Sequence, residues 1–216
     1  MATFVLVPGS ATAGSAFDDV AAVLEDAGHV AVPVDLPLDN PDAALSEYVA
    51  AAVEAVGEHR DLVVVGQSLG AFTAVGMTAH VPVDQLILVC PMIPAPGETP
   101  GEWWEATGHE EAIAGLLERV GPASEWDEQA IVEIFLNDCP PERLADADRH
   151  TRPERTRIFD EPLELERWPG IPTHVLAGEH DNFFPLVFQR RVARERLGID
   201  PDVMPAGHTP MISRPD

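Results

Sequence analysis

The chain has no lysine: all 13 of its basic residues are arginines, set against 37 aspartates and glutamates in 216 residues, for a formal net charge of -24. A surface of that sign repels polyanions, so neither nucleic acid nor an anionic membrane is an expected partner. Cysteine is scarce too. Cys90, in an apolar run, and Cys139, before Pro140-Pro141, make a poor disulfide framework and lack metal-ligand spacing, so both read as reduced thiols that hold no metal. No apolar run approaches the ~18 residues of a membrane span, and Met1-Ala2-Thr3-Phe4 lacks the basic start of a secretory signal. A cytoplasmic location is the expectation.

What is present is a regular alternation. Phe4 to Val7 is a short continuous apolar run of the kind a parallel strand buried on both faces requires. A helix is expected from about Ser15 to Ala27, with Ser15 and Asp18 as a capping box and Gly28 as its stop. Val30 to Val34 reads as a second strand. Asn40 then caps a helix that has Pro41 at its first position and an apolar face from Leu45 to Val56. Strand Leu62 to Val65, helix Ala71 to His80, strand Gln85 to Val89, strand His174 to Ala177 and helix Leu186 to Leu197 continue the series. Such alternation predicts an α/β fold: a doubly wound, mostly parallel sheet.

The series breaks between about Pro91 and Pro169, where prolines, tryptophans and acidic residues surround two helical stretches, Glu105 to Val120 and Ser124 to Asn137. Residues 1–90 and 170–216 then form the core, and residues 91–169 an inserted helical lid. Met92, Trp103, Trp104, Trp126 and Phe135 are candidates to line an apolar pocket beneath it. The alternative is that these side chains merely pack the lid onto the sheet.

The pentapeptide Gly66-Gln67-Ser68-Leu69-Gly70 joins a buried strand to a helix start. That context makes it a nucleophile elbow, a turn sharp enough to exclude side chains two residues either side of Ser68 and to hold Ser68 at positive φ. Serine is unreactive as a neutral alcohol. It needs a base, and the base an orienting group. Asp181 follows the strand His174 to Ala177, and His208 follows the short stretch Val203-Met204. The plainer readings are a turn serine at 68, a helix-capping aspartate at 181 and an ordinary loop histidine at 208, with His180 the nearest rival base. Glu179, His180, Asp181 and His208 lack the spacing of a metal site.

With the order serine, aspartate, histidine, each after a strand, the chain resembles the α/β-hydrolase superfamily. Gly207-His208-Thr209-Pro210-Met211 and Phe4-Val5-Leu6-Val7-Pro8-Gly9-Ser10 are similar to the histidine loop and oxyanion loop of its small methylesterase and hydroxynitrile lyase branch. The resemblance implies Ser68 as nucleophile, His208 as general base and then acid, Asp181 as the orienting carboxylate, and the backbone N–H groups of Ser10 and Leu69 as the oxyanion hole. It implies hydrolysis of carboxylic esters of small to medium apolar substrates through an acyl-serine, with no cofactor and no partner beyond the substrate, a cap-mediated homodimer being left open. Two other functions share these residues, a small-molecule receptor and a lyase, although the lyases use a lid lysine that this chain lacks. Pro8 stands where the family usually has histidine, Asp35-Leu36-Pro37 lacks the family's usual glycines, and Asp216 comes eight residues after His208 (216 minus 208), where relatives carry a closing helix.

Overall fold

Strands β1 (Thr3–Val7), β2 (Val30–Pro33), β3 (Leu62–Gln67), β4 (Gln85–Val89), β5 (Thr173–Gly178) and β6 (Asp202–Met204) form one sheet in the order 2-1-3-4-5-6, with all five pairings parallel. The computed structural model describes the backbone of residues 1–216 and every side chain except that of Asp146. Both faces of the sheet are covered, which is why its strands are continuous apolar runs. Val5, Val7, Val64, Leu86, Leu88 and Val175 face one way, onto α2 (Leu45–Val56), α3 (Gly70–Met77) and α9 (Leu186–Leu197). Leu6 and Val65, offset by one residue, face the other way onto α1 (Asp18–Asp26) and the short α10 (Pro210–Ser213).

Strand β1 lies between β2 and β3, so the connections that leave β1 and β3 diverge and open a crevice at the carboxyl ends of these strands. Ser10 follows β1 and Ser68 follows β3, so both stand at that crevice. The elbow glycines are set by close approach. A Cβ at residue 66 would lie 2.9 Å from Ala71 Cα, and one at residue 70 would lie 2.4 Å from the Pro8 carbonyl oxygen. Gly66 therefore admits helix α3 against its own strand, whereas Gly70 admits it against the end of β1.

Several local expectations change. Ser15 makes no capping bond; its Oγ lies 2.8 Å from His150 Nδ1, and α1 is preceded by a 3-10 turn at Gly14–Phe17. Helix α2 starts at Leu45 rather than Pro41, because Asn40 Oδ1 accepts the Asp42 N–H in a local turn while Glu47 closes over the Ala44 N–H at 2.8 Å. Helix α3 stops at Met77.

Between β4 and β5 there are five helices instead of two: α4 (Pro100–Thr107), α5 (His109–Ala112), α6 (Ala114–Val120), α7 (Glu128–Phe135) and α8 (Pro141–His150). Thr99 and Glu102 form a reciprocal capping box that starts α4, with Pro100 at its first position, and Gly108 in the left-handed region stops it. Among the described residues no helix is long and apolar enough to cross a membrane.

Candidate active site

Ser68 has φ +53°, and the turn leaves its side chain at the rim of the crevice beside the two loops that follow β5 and β6. Its Oγ lies 3.0 Å from His208 Nε2, and His208 Nδ1 lies 2.8 Å from Asp181 Oδ2. A carboxylate oxygen only accepts, so the proton sits on Nδ1, and Nε2 is left as acceptor for the serine O–H. All three side chains are buried. His180 is exposed and stands away from this chain of hydrogen bonds, with its backbone carbonyl accepting from Asn137 Nδ2.

Asp181 does not cap the following helix, which starts at Leu186 without a side-chain cap; its Oδ1 instead accepts the N–H groups of Phe183 and Phe184 in the loop, at 2.9 and 2.7 Å. With Gln189 Nε2 at 3.3 Å from Oδ2, four donors fix the carboxylate against His208. The histidine loop is pinned from behind: Asp138 Oδ2 accepts the Gly207 N–H, and the Cys90 thiol lies 3.6 Å from the Gly207 carbonyl oxygen. Burial, reinforced by Asp181 nearby, pushes the Cys90 thiol well above its ordinary range, so it stays a neutral packing group.

Gln67, fully buried beside the candidate nucleophile, ties the loops together. Its Oε1 accepts the Gly9 N–H at 3.1 Å, and its Nε2 donates to the His208 carbonyl at 2.9 Å. The Gly9 N–H is thereby occupied, while the N–H groups of Ser10 and Leu69 have no acceptor among the described residues. Leu69 precedes the first turn of α3, where the helix dipole adds to the attraction for negative charge.

A cavity of about 1160 Å³ adjoins these groups and includes Ser10, Ser68, Leu69 and His208 in its wall. Met92, Trp104 and Phe135 line it, as do Trp126, Phe159 and Phe183. Trp103, expected beside them, is not in the wall. Its side chain is completely buried, its indole N–H donates to the Ile93 carbonyl at 2.9 Å, and it packs on Phe184 and Phe188. Consecutive residues of a helix point ~100° apart, so Trp103 turns into the core while Trp104 turns to the cavity.

His109, Phe183 and Gln67 were not singled out from sequence as site residues. Gln67 carried a usable signal, because a polar side chain ending a buried strand must find partners. His109 sits among Trp104, Phe183 and Phe184, and its Nε2–H donates to the Phe183 carbonyl at 2.8 Å. Burial there pulls its imidazole below the ordinary histidine value, against the partial opposition of that carbonyl.

The sequence profile of the Alpha/beta hydrolase family matches residues 4–216. The chain belongs to this family. Solved structures of similar fold include a pyrethroid hydrolase from Sphingobium faniae JZ-2, with 23% identity and a TM-score of 0.81 over 100% of this chain and 93% of that one. Polyneuridine aldehyde esterase is alike at 21% identity and a TM-score of 0.81, with 100% and 95% covered. A methylesterase from Arabidopsis gives 17% and 0.76, with 100% and 94% covered. At such identities the likeness is one of fold. No protein of curated function matches the sequence.

Proposed function

We propose that this alpha/beta hydrolase cleaves carboxylic esters through an acyl-Ser68 intermediate. The observation that carries the reading is the hydrogen-bonded series Ser68, His208, Asp181 at the wall of a cavity that also contains two unpaired backbone N–H groups. Ser68 Oγ attacks the ester carbon as its proton passes to His208 Nε2, and the charge that develops on the carbonyl oxygen is met by the N–H groups of Leu69 and Ser10. The imidazolium, stabilised by Asp181, returns the proton to the departing alkoxide. Water then enters and gives a proton to the same nitrogen as its oxygen bonds to the acyl carbon; the acyl–Oγ bond breaks, the imidazolium returns the proton to Ser68 Oγ, and the acid is released. No cofactor takes part in these steps.

The cavity wall argues for the substrate. Five Trp and Phe rings in it suit apolar groups, and no arginine is among its described lining residues, so no guanidinium there pairs with an anionic substituent. Glu105 and Glu110 are exposed carboxylates in the same wall. Uncharged esters are therefore favoured, and a volume of about 1160 Å³, just above common ligand pockets, which run to about 1,000 Å³, extends the range beyond small esters to bulky ones. That two of the similar folds are an esterase and a pyrethroid hydrolase agrees with this choice. Residues 91–169 act as the lid, since they supply Trp104, Trp126, Phe135 and Phe159. The absence of lysine weighs against the lyase mechanism.

The test is turnover of p-nitrophenyl butyrate by the wild type and by Ser68→Ala. Loss of about 10⁴-fold or more is expected, with an unchanged melting temperature. Equal rates in the two proteins would refute the reading.

A further inference from the structure

The loop that carries the Ser10 N–H is held by a segment distant in sequence, whose first residues, His150 and Thr151, also line the cavity. Residues 150–154 run alongside it. The Ala13 N–H donates to the His150 carbonyl, and the Arg152 N–H to the Ala11 carbonyl, both at 2.8 Å, making an antiparallel bridge between Thr12 and Thr151. Ala11 has φ +54°, a left-handed conformation unfavourable for alanine, which persists only where surrounding bonds over-determine it. One of those bonds is made by the Ser10 side chain. Its Oγ donates not into the cavity but outward, to Glu154 Oε2. Glu154 Oε1 in turn accepts from the hydroxyl of Tyr48 at 2.7 Å, and that hydroxyl also lies 3.1 Å from Thr156 Oγ1.

Tyr48 is the chain's one tyrosine. Its ring is buried on α2, where a phenylalanine would serve packing alone, so the hydroxyl is the feature to explain. Burial pushes the phenol's pKa up, which keeps it protonated and a donor. A tyrosine fixed in the core thus anchors a half-buried carboxylate, and the carboxylate anchors the serine whose backbone is the second oxyanion donor.

We infer that Glu154, held by Tyr48, is a positioning residue that sets the Ser10 N–H for the oxyanion. This rests on the proposed hydrolysis. A glutamine at 154 removes the carboxylate charge and replaces one acceptor oxygen with an amide that only donates, so one of the two charge-assisted hydroxyl bonds must reverse and weaken, and the loop is loosened on that side.

Four variants test it: Glu154→Gln, Ser10→Ala, their double, and Tyr48→Phe. Because the oxyanion exists only in the transition state, Glu154→Gln should lower kcat for p-nitrophenyl butyrate about tenfold with KM within twofold. Affinity for an alkylboronic acid, whose tetrahedral adduct places an oxygen in the same position, should fall by the same factor. Ser10→Ala keeps the backbone N–H and should reproduce the loss, the double variant should be no worse than either single one, and Tyr48→Phe should show about a threefold loss. Amide exchange of residues 9–13 should be faster in Glu154→Gln than in the wild type, whether or not the wild type turns over the ester.

Unchanged kcat and boronate affinity with only a lowered melting temperature would overturn the inference, and so would losses that multiply in the double variant or unchanged exchange of residues 9–13. Should Glu154→Gln not fold, Ser10→Ala, at an exposed position, carries the same comparison. A wild type without turnover refutes the hydrolase reading instead, and the exchange measurement still decides the tether.

Discussion

The sheet and the helices between β4 and β5 are stabilised on different scales. Under the elbow, Val5, Val64, Phe72, Ala74 and Val75 are wholly shielded in one large cluster joined across four strands and four helices. Helices α6 and α7, by contrast, close around Ile113, Leu116, Ala130 and Ile134, a small cluster whose partly buried neighbours, Trp126, Phe135 and Phe183, also line the cavity. The first region holds Ser68, Asp181 and His208 at fixed separations, because a packed core transmits little displacement. The second has few core residues and many that face the cavity, so on the proposed reading its changes alter what fits before they alter whether the protein folds.

Truncation in each region is the strongest way to break this contrast. Phe72→Ala removes a fully buried ring at the sheet and should cost about 3–5 kcal/mol of unfolding free energy, read by urea denaturation, while leaving the relative rates on short and long esters unchanged in the folded fraction. Ile134→Ala should cost less, about 2–3 kcal/mol, and should change the ratio of kcat/KM between octanoyl and acetyl esters about fivefold. Equal shifts in chain-length preference from both variants would remove the distinction.

Charge in the cavity wall sharpens it further. A half-ester bearing a free carboxylate should be turned over at least about tenfold less efficiently than its methyl-capped neutral analogue, since Glu105 and Glu110 oppose it and no arginine in the wall offsets them. Glu105→Gln with Glu110→Gln should narrow that gap about two- to threefold, as should added salt, because both carboxylates are exposed.

The smallest expected effect concerns His109 at the seam of the two regions. Burial depresses its pKa in the folded state, so in a window below about pH 6.5 the unfolded chain binds more protons than the folded one. The stabilising contribution is full above pH 6.5 and is lost as pH falls through the depressed value. Between pH 7.5 and pH 5 the wild type should lose about 2 °C more in melting temperature than His109→Gln, as measured by calorimetry.

Much of this was legible beforehand. The apolar runs that become β1, β3, β4 and β5 are continuous because both faces of the sheet are covered, and Gly66 and Gly70 announced a turn too tight for side chains. Ser68, Asp181 and His208 stood out because each lies in a loop just past a strand. The helices of residues 100–150 were less legible: Pro100 and Gly108 divide the pattern into short pieces, and α8 buries little beyond Ala147. Asn40 looked like a helix cap, but its side chain closes on Asp42, a competition that composition does not resolve.

Local pattern was therefore sufficient for the alternation of strands and helices outside residues 91–169, the tight elbow and the candidate residue types, because each depends on neighbours within a few positions. Long-range packing chose Trp104 over Trp103 for the cavity, His208 over His180 as partner of Ser68, and Glu154 as the anchor of Ser10 across 144 residues. Those choices turn on which distant groups share a buried volume, and spacing along a chain carries no measure of that.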